Sequence, residues 1–164
     1  MNSLLSISDK ILVGENLISK LNFWGSSNNT IVFTNGVFDL LHLGHIDYLS
    51  KAKDEGDILI VGVNSDSSAR NLGKGNSRPI TDEKSRSTII AALQFVDAVI
   101  LFDEDTPYEL IKIVQPDVLV KGADYKPEDI VGYDIVTAKG GSIKTIAFLP
   151  GYSTTSIEEK IKQS

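Results

Sequence analysis

The only two histidines of this chain, His42 and His45, lie three residues apart in the run Thr34-Asn35-Gly36-Val37-Phe38-Asp39-Leu40-Leu41-His42-Leu43-Gly44-His45. If a helix begins between residues 41 and 44, that spacing puts both imidazoles on one side of its first turn. The free N–H groups of the turn and the positive end of its dipole point the same way. Two hydrogen-bond donors in such a place make a site for phosphate. Gly36 allows close backbone approach on one side, and Gly44 leaves room between the imidazoles. The spacing also occurs where histidines simply start a helix, and on spacing alone that alternative stays open. Zinc is a second alternative, without an identifiable third or fourth ligand. A Ser-His-Asp hydrolase lacks its G-x-S-x-G elbow. Neither the G-x-x-x-x-G-K-[ST] loop nor the G-x-G-x-x-G fingerprint is present.

The elements around this run alternate. Residues 7–21 carry apolar side chains at roughly helical spacing, interrupted at Gly14, and predict an N-terminal helix packed on the domain. Residues 25–29 read as a loop. Together, residues 1–29 are expected to form a helix and loop packed on a domain spanning residues 30–164, a single domain overall. Strands are expected over residues 31–33, 57–63, 98–102, 118–120 and 143–149, the second of them almost continuously apolar, as for a strand buried on both faces. Helices are expected over residues 46–53, 82–95 with Thr81 as cap, 106–115 with Thr106 as cap, 133–139, and from Thr154 or Thr155 through residue 161. Asn64 and Asp66 are read as caps of a helix after the second strand. Such alternation implies an α/β protein with a doubly wound parallel sheet. Ligands of such sheets sit beyond the C-terminal strand ends, at a topological switch point. The histidine run occupies the first strand-to-helix loop.

Composition bounds the reading. The 164 residues are 41% hydrophobic and 23% charged, enough for an ordinary core. With 16 Lys+Arg against 22 Asp+Glu the formal charge is −6, which argues against an extended nucleic-acid footprint. The absence of cysteine removes disulfides, thiol nucleophiles and thiolate metal sites. The first 23 residues contain Asp9, Lys10, Glu15 and Lys20 and no uninterrupted apolar run, and no stretch is long enough to cross a bilayer. A cytoplasmic protein without membrane partners is expected.

The run from Asn35 to His45, with its H-x-G-H core after G-x-F-D and a strand, resembles the signature of the cytidylyltransferase-like nucleotidyltransferases. Gly73-Lys74-Gly75, Arg78-Pro79-Ile80, Glu83, Arg86, Asp103-Glu104-Asp105-Thr106-Pro107, residues 116–125 and Ser153-Thr154-Thr155 extend the likeness over nearly the whole chain. They look like the branch that adenylylates D-glycero-D-manno-heptose 1-phosphate, a domain often fused behind a sugar kinase and expected here as a free-standing version. The resemblance implies a Rossmann-like, three-layer α/β/α nucleotidyltransferase fold. It also implies transfer of AMP from ATP to the sugar phosphate, giving ADP-heptose and pyrophosphate. A cytidylyltransferase using CTP and glycerol 3-phosphate is the nearest alternative, and a non-catalytic nucleotide-binding regulatory module is another.

The resemblance further implies site roles. His42, His45 and Lys74 would act on the phosphates as catalytic groups, the alternative for Lys74 being an exposed surface lysine. Gly36, Val37, Phe38, Gly44, Gly122, Asp124, Ser153, Thr154 and Thr155 would help bind the nucleotide, the last three also being natural helix caps. Asp39, Arg86 and Lys121 would serve the sugar phosphate. Asp39 could instead orient the first loop, and Arg86 could be an exposed arginine paired with Asp82 or Glu83. Several cytidylyltransferases carry an arginine shortly before the Ser/Thr-Thr element, whereas here Pro150-Gly151-Tyr152 precedes Ser153. Magnesium would arrive with ATP, with no dedicated protein metal site. A homodimer is implied.

Overall fold

Apolar runs separated by polar turns become parallel strands joined through helices. The computed structural model describes residues 2–73, 78–123 and 126–163. In chain order the elements are α1 (Ser3–Ser8), α2 (Gly14–Ser26), β1 (Ile31–Gly36), α3 (Leu43–Lys53), β2 (Ile58–Asn64), α4 (Asp66–Asn71), α5 (Glu83–Ala91), β3 (Ala98–Phe102), α6 (Tyr108–Val114), β4 (Val118–Gly122), α7 (Tyr133–Ala138), β5 (Ser142–Ile146) and α8 (Thr154–Gln163). A 3₁₀ turn over Pro127–Asp129 precedes α7. Among the described residues the strands form one five-stranded sheet in the order β3-β2-β1-β4-β5. Every neighbouring pair is parallel. The chain therefore winds outward from β1 in one direction, crosses back to β4 and winds outward in the other. The crevice between the C-terminal ends of β1 and β4 is the switch point.

Period-two alternation distributes the strand residues to two buried clusters, one on each face of the sheet. Ile31, Phe33, Ile60, Ile100 and Leu119 pack with Leu17 and Trp24 of α2 and with Leu110 and Ile111 of α6. Val32, Leu59, Val61 and Val63 pack on the other face with Tyr48, Leu49 and Ala52 of α3 and Ile90 and Ala91 of α5. The expected helix over residues 7–21 is instead two helices, because residues 9–13 leave helical geometry and run beside β3. Val99 donates to the Lys10 carbonyl and Leu12 donates to the Val99 carbonyl, at 2.8 and 2.9 Å. Gly14, at φ +52°, turns the chain from this bridge into α2.

Three expected caps also differ. The side chain of Asp82, rather than Thr81, accepts from the Ser85 N–H at the start of α5. Ser65, rather than Asn64 or Asp66, caps α4 through the Ser68 N–H. Pro107 occupies the cap position of α6, with no side-chain bond there.

Candidate active site

The first loop leaves β1 at Gly36 and enters α3 at His42, and two of its residues adopt left-handed backbone. Phe38 has φ +53° and Leu40 φ +50°, conformations that cost energy for non-glycine residues and persist only where surroundings enforce them. The enforcing groups are visible. Asp39 is buried, and its carboxylate accepts from the backbone N–H of Ile80 (2.7 Å) and Thr81 (3.0 Å) and from the Thr81 hydroxyl (2.7 Å). Burial alone would raise its pKa, but these bonds outweigh it and hold the carboxyl below its ordinary value. The Asp39 carbonyl accepts from the Thr154 hydroxyl at 2.8 Å, which ties the loop to α8.

Arg86 is the second clamp, and here the expectation of sugar-phosphate contact is corrected. Its side chain is fully buried. Nε donates to the Thr81 carbonyl, Nη1 to the Val37 carbonyl and Nη2 to Asp66 Oδ1, at 3.0, 2.7 and 2.8 Å. Nor does it pair with Asp82 or Glu83. A guanidinium committed on every nitrogen to protein oxygens holds the loop from behind and does not face the cleft. Of the two readings offered for Asp39, its bonds match orientation of the loop.

The imidazoles project from the first turn of α3. Their rings stack with centroids 3.8 Å apart and planes 20° from parallel, and Phe38 meets His45 edge-on at 5.5 Å. The His42 backbone N–H donates to His45 Nδ1 at 3.4 Å. An Nδ1 that accepts carries no proton, so neutral His45 presents its N–H at Nε2. Burial, joined by the nearby charge of His42, pushes the His45 pKa down to about 4 against the opposing pull of Asp39. Burial lowers His42 as well. His42 Nδ1 is buried and turned to the first-turn N–H groups of its own helix, where it completes a loose capping box short of an ordinary hydrogen bond. Gly44 sits tightly beside His42, and the stacked rings leave no gap between them, contrary to the expected room there. A Cβ there would stand 3.0 Å from His42 Nδ1 and 3.1 Å from the Tyr152 Cβ.

These residues line a cleft of about 720 Å³ together with Gly36, Val37, Phe38, Asp39, Lys121, Gly122 and Ser153, Thr154 and Thr155. The cleft thus gathers most of the expected site; Arg86 stays outside its lining, and Lys74 and Asp124 lie outside the described residues. Lys121, at the end of β4, donates to Asn35 Oδ1 of β1 across the switch point. Burial brings its pKa down to about 8. Gly122 is covered by the ring of Phe148, with which any Cβ would collide, and Phe148 tilts against Tyr48 at 5.7 Å. The Ser153 Oγ accepts from the Ser156 N–H at 3.1 Å, so this hydroxyl caps α8. Asn35, Tyr48, Arg78, Phe148 and Tyr152 also line the cleft. Arg78 had a readable signal, a cation in the loop segment after the second strand; the placement of Phe148 over Gly122 had none.

Chemically, the cleft offers a polyanion two uncharged imidazoles, helix N-termini, a buried ammonium and a guanidinium. A cytidylyltransferase-like family model matches residues 33–160. The chain belongs to the cytidylyltransferase-like family. Among its relatives, a bifunctional protein HldE of Syntrophotalea carbinolica is 50% identical over 96% of this chain and 32% of its own length. One of Geobacter metallireducens is 56% identical over 80% of this chain and 26% of its own. The chain thus spans about a third or less of the curated relatives it matches. A solved lipopolysaccharide core biosynthesis protein from Thermoplasma volcanium superposes with a TM-score of 0.60 at 37% identity, covering 74% of this chain and 97% of that one. A pantoate-beta-alanine ligase from Francisella tularensis, 20% identical with a TM-score of 0.58, shares the fold. Family membership bears out the resemblance carried by the H-x-G-H run.

Proposed function

We propose that this member of the cytidylyltransferase-like family is a nucleotidyltransferase that makes ADP-heptose and pyrophosphate from ATP and D-glycero-D-manno-heptose 1-phosphate. The observation that carries the reaction type is the stacked histidine pair at the N-terminus of α3, set in the cleft at the switch point of the sheet. The acceptor rests on the identity to proteins named HldE and on the heptose-branch motifs. An oxygen of the sugar phosphate attacks the α-phosphorus, the new P–O bond forms, and the α–β bridging P–O bond breaks with its electron pair leaving on pyrophosphate. The nucleophile is already anionic near neutral pH, so the protein aligns the reactants and stabilises charge without a general base.

His42 and His45 donate to the phosphates around the scissile bond. Gly36, Val37, Phe38 and Gly44 let the nucleotide lie against the backbone, and the base rests toward Gly122 and Phe148. Ser153, Thr154 and Thr155 receive the distal phosphates, Thr154 through its N–H because its hydroxyl serves Asp39. Lys121 meets the acceptor phosphate. Lys74 and Asp124 keep the roles that their motif implies. The cleft's own carboxylates do not form a cation cage, since Asp39 is occupied by Ile80 and Thr81. Among the described residues no group of three or more His, Cys, Asp or Glu is gathered for a metal. Magnesium would come with the triphosphate and help neutralise its charge. No helix among the described residues is long and apolar enough to cross a membrane; a cytoplasmic location and a homodimer complete the reading.

The test is pyrophosphate release from ATP and CTP, each crossed with heptose 1-phosphate and glycerol 3-phosphate in the presence of magnesium. Turnover is expected with ATP and heptose 1-phosphate. Turnover confined to CTP and glycerol 3-phosphate would overturn the substrate assignment, and silence in all four would overturn the acceptor class.

A further inference from the structure

Arg78 lies in the segment that leads into α5, and neither the histidine site nor the loop clamp uses it. It faces the cleft beside Thr155. Its Nε pairs with Glu158 Oε1 at 2.8 Å, the side chains being 18% and 21% exposed. Its Nη2 donates to the Thr155 hydroxyl at a long 3.4 Å. Thr155 is in the first turn of α8, and no acidic residue occupies that turn. A guanidinium has thus been placed against the positive end of a helix dipole, where a cation is unfavourable. The bonded Glu158 carboxylate and the nearby Asp39 offset this and keep the guanidinium charged in place. The arrangement becomes attractive on both sides once a polyanion lies between Arg78 and the helix end.

The path of the chain says which part of a ligand arrives there. The Tyr152 Cβ lies against Gly44, beside the His42 ring, and Ser153 to Thr155 follow it directly. The N-terminus of α8 therefore adjoins the histidine pair, one step farther along the cleft. The Thr154 hydroxyl donates to the Asp39 carbonyl, whereas the Ser153 Oγ only accepts, from the Ser156 N–H, so among the described residues Arg78 and the Ser153 and Thr155 hydroxyls remain as side-chain donors at this end.

We infer that Arg78 binds the β- and γ-phosphates of the nucleotide and that Glu158 is its positioning residue. Glu158 grips the Nε edge and leaves the two Nη groups to a phosphate. The inference deepens the nucleotidyltransferase reading and rests on it. It also supplies, from a different part of the chain, a cation that Pro150-Gly151-Tyr152 does not provide.

Calorimetric binding of ATP and of AMP to the wild-type chain, Arg78→Gln, Arg78→Lys and Glu158→Gln tests it. Arg78→Gln should weaken ATP about tenfold while AMP, which lacks the distal phosphates, stays within about twofold. Arg78→Lys should recover part of the loss, since charge returns without the planar fork. Glu158→Gln should weaken ATP less than Arg78→Gln does. Equal losses for ATP and AMP, or no loss in either, would overturn the assignment and leave Arg78 as a strap between its segment and α8. Arg78→Lys keeps the test open if Arg78→Gln does not fold. A wild-type chain that binds neither ATP nor CTP would overturn the nucleotidyltransferase reading itself, a result distinct from a wild type that binds ATP and an Arg78→Gln that binds it equally well.

Discussion

In the proposed reaction His45 acts as an uncharged and fixed donor. With its pKa near 4, it would meet a phosphate as a neutral donor whose N–H already points away from the Nδ1 that the backbone occupies. His45→Ala is expected to lower turnover on the order of 10²- to 10³-fold, measured as pyrophosphate release, with a much smaller change in stability. Wild-type turnover in that variant would remove His45 from the mechanism. A second expectation follows from proton linkage. The unfolded histidine titrates at its ordinary value of 6.5, above the folded one. Between the two the unfolded chain binds more protons, so stability rises with pH through this window and is complete above it. Melting temperature recorded from pH 4 to pH 7 should therefore climb more steeply for wild type than for His45→Gln. Equal slopes would count against a buried neutral His45. Bound triphosphate should raise the histidine pKa, visible in an NMR titration.

At the scale of elements, the site depends on a loop held in strained backbone by partners far away in sequence. Arg86 reaches Val37 and Asp39 reaches Ile80 and Thr81, separations of 49, 41 and 42 residues. Arg86→Gln should destabilise the protein by about 2–3 kcal/mol, because it breaks a buried charge contact and leaves the Val37 and Thr81 carbonyls without donors. Denaturant unfolding measures this. An unchanged midpoint with a raised KM for the sugar phosphate would instead restore Arg86 to substrate contact. The strands, their parallel character and the histidine pair were legible in the sequence because each is written locally, in an apolar run or a three-residue spacing. The burial of Arg86 was not legible, since an arginine one turn into a helix looks the same whether its face meets water or the back of another loop. The contact between Lys121 and Asn35 was equally hidden. It exists only because β4 returns to lie beside β1.

For the molecule as a whole, the first 29 residues contribute Leu12, Leu17 and Trp24 to the same buried cluster as Phe33 and Ile60. Trp24→Ala should cost about 3–5 kcal/mol, read from chemical unfolding by far-UV circular dichroism. A loss below about 1 kcal/mol would mean that α2 packs only loosely on the sheet. In the wild type the single tryptophan, 7% exposed, should shift its emission to the red in the same transition. The bridge between Lys10, Leu12 and Val99 has one more consequence. Outer strands of a sheet carry unsatisfied N–H and C=O groups that invite a foreign strand. Here β3, one of those outer strands, already has the outward N–H and C=O of Val99 occupied by the protein's own leading segment. The opposite border, β5, is short, and a lysine, Lys144, stands along it. Both borders thereby hinder the docking of a foreign strand, one through the pairing at Val99 and the other through the Lys144–Glu55 charges.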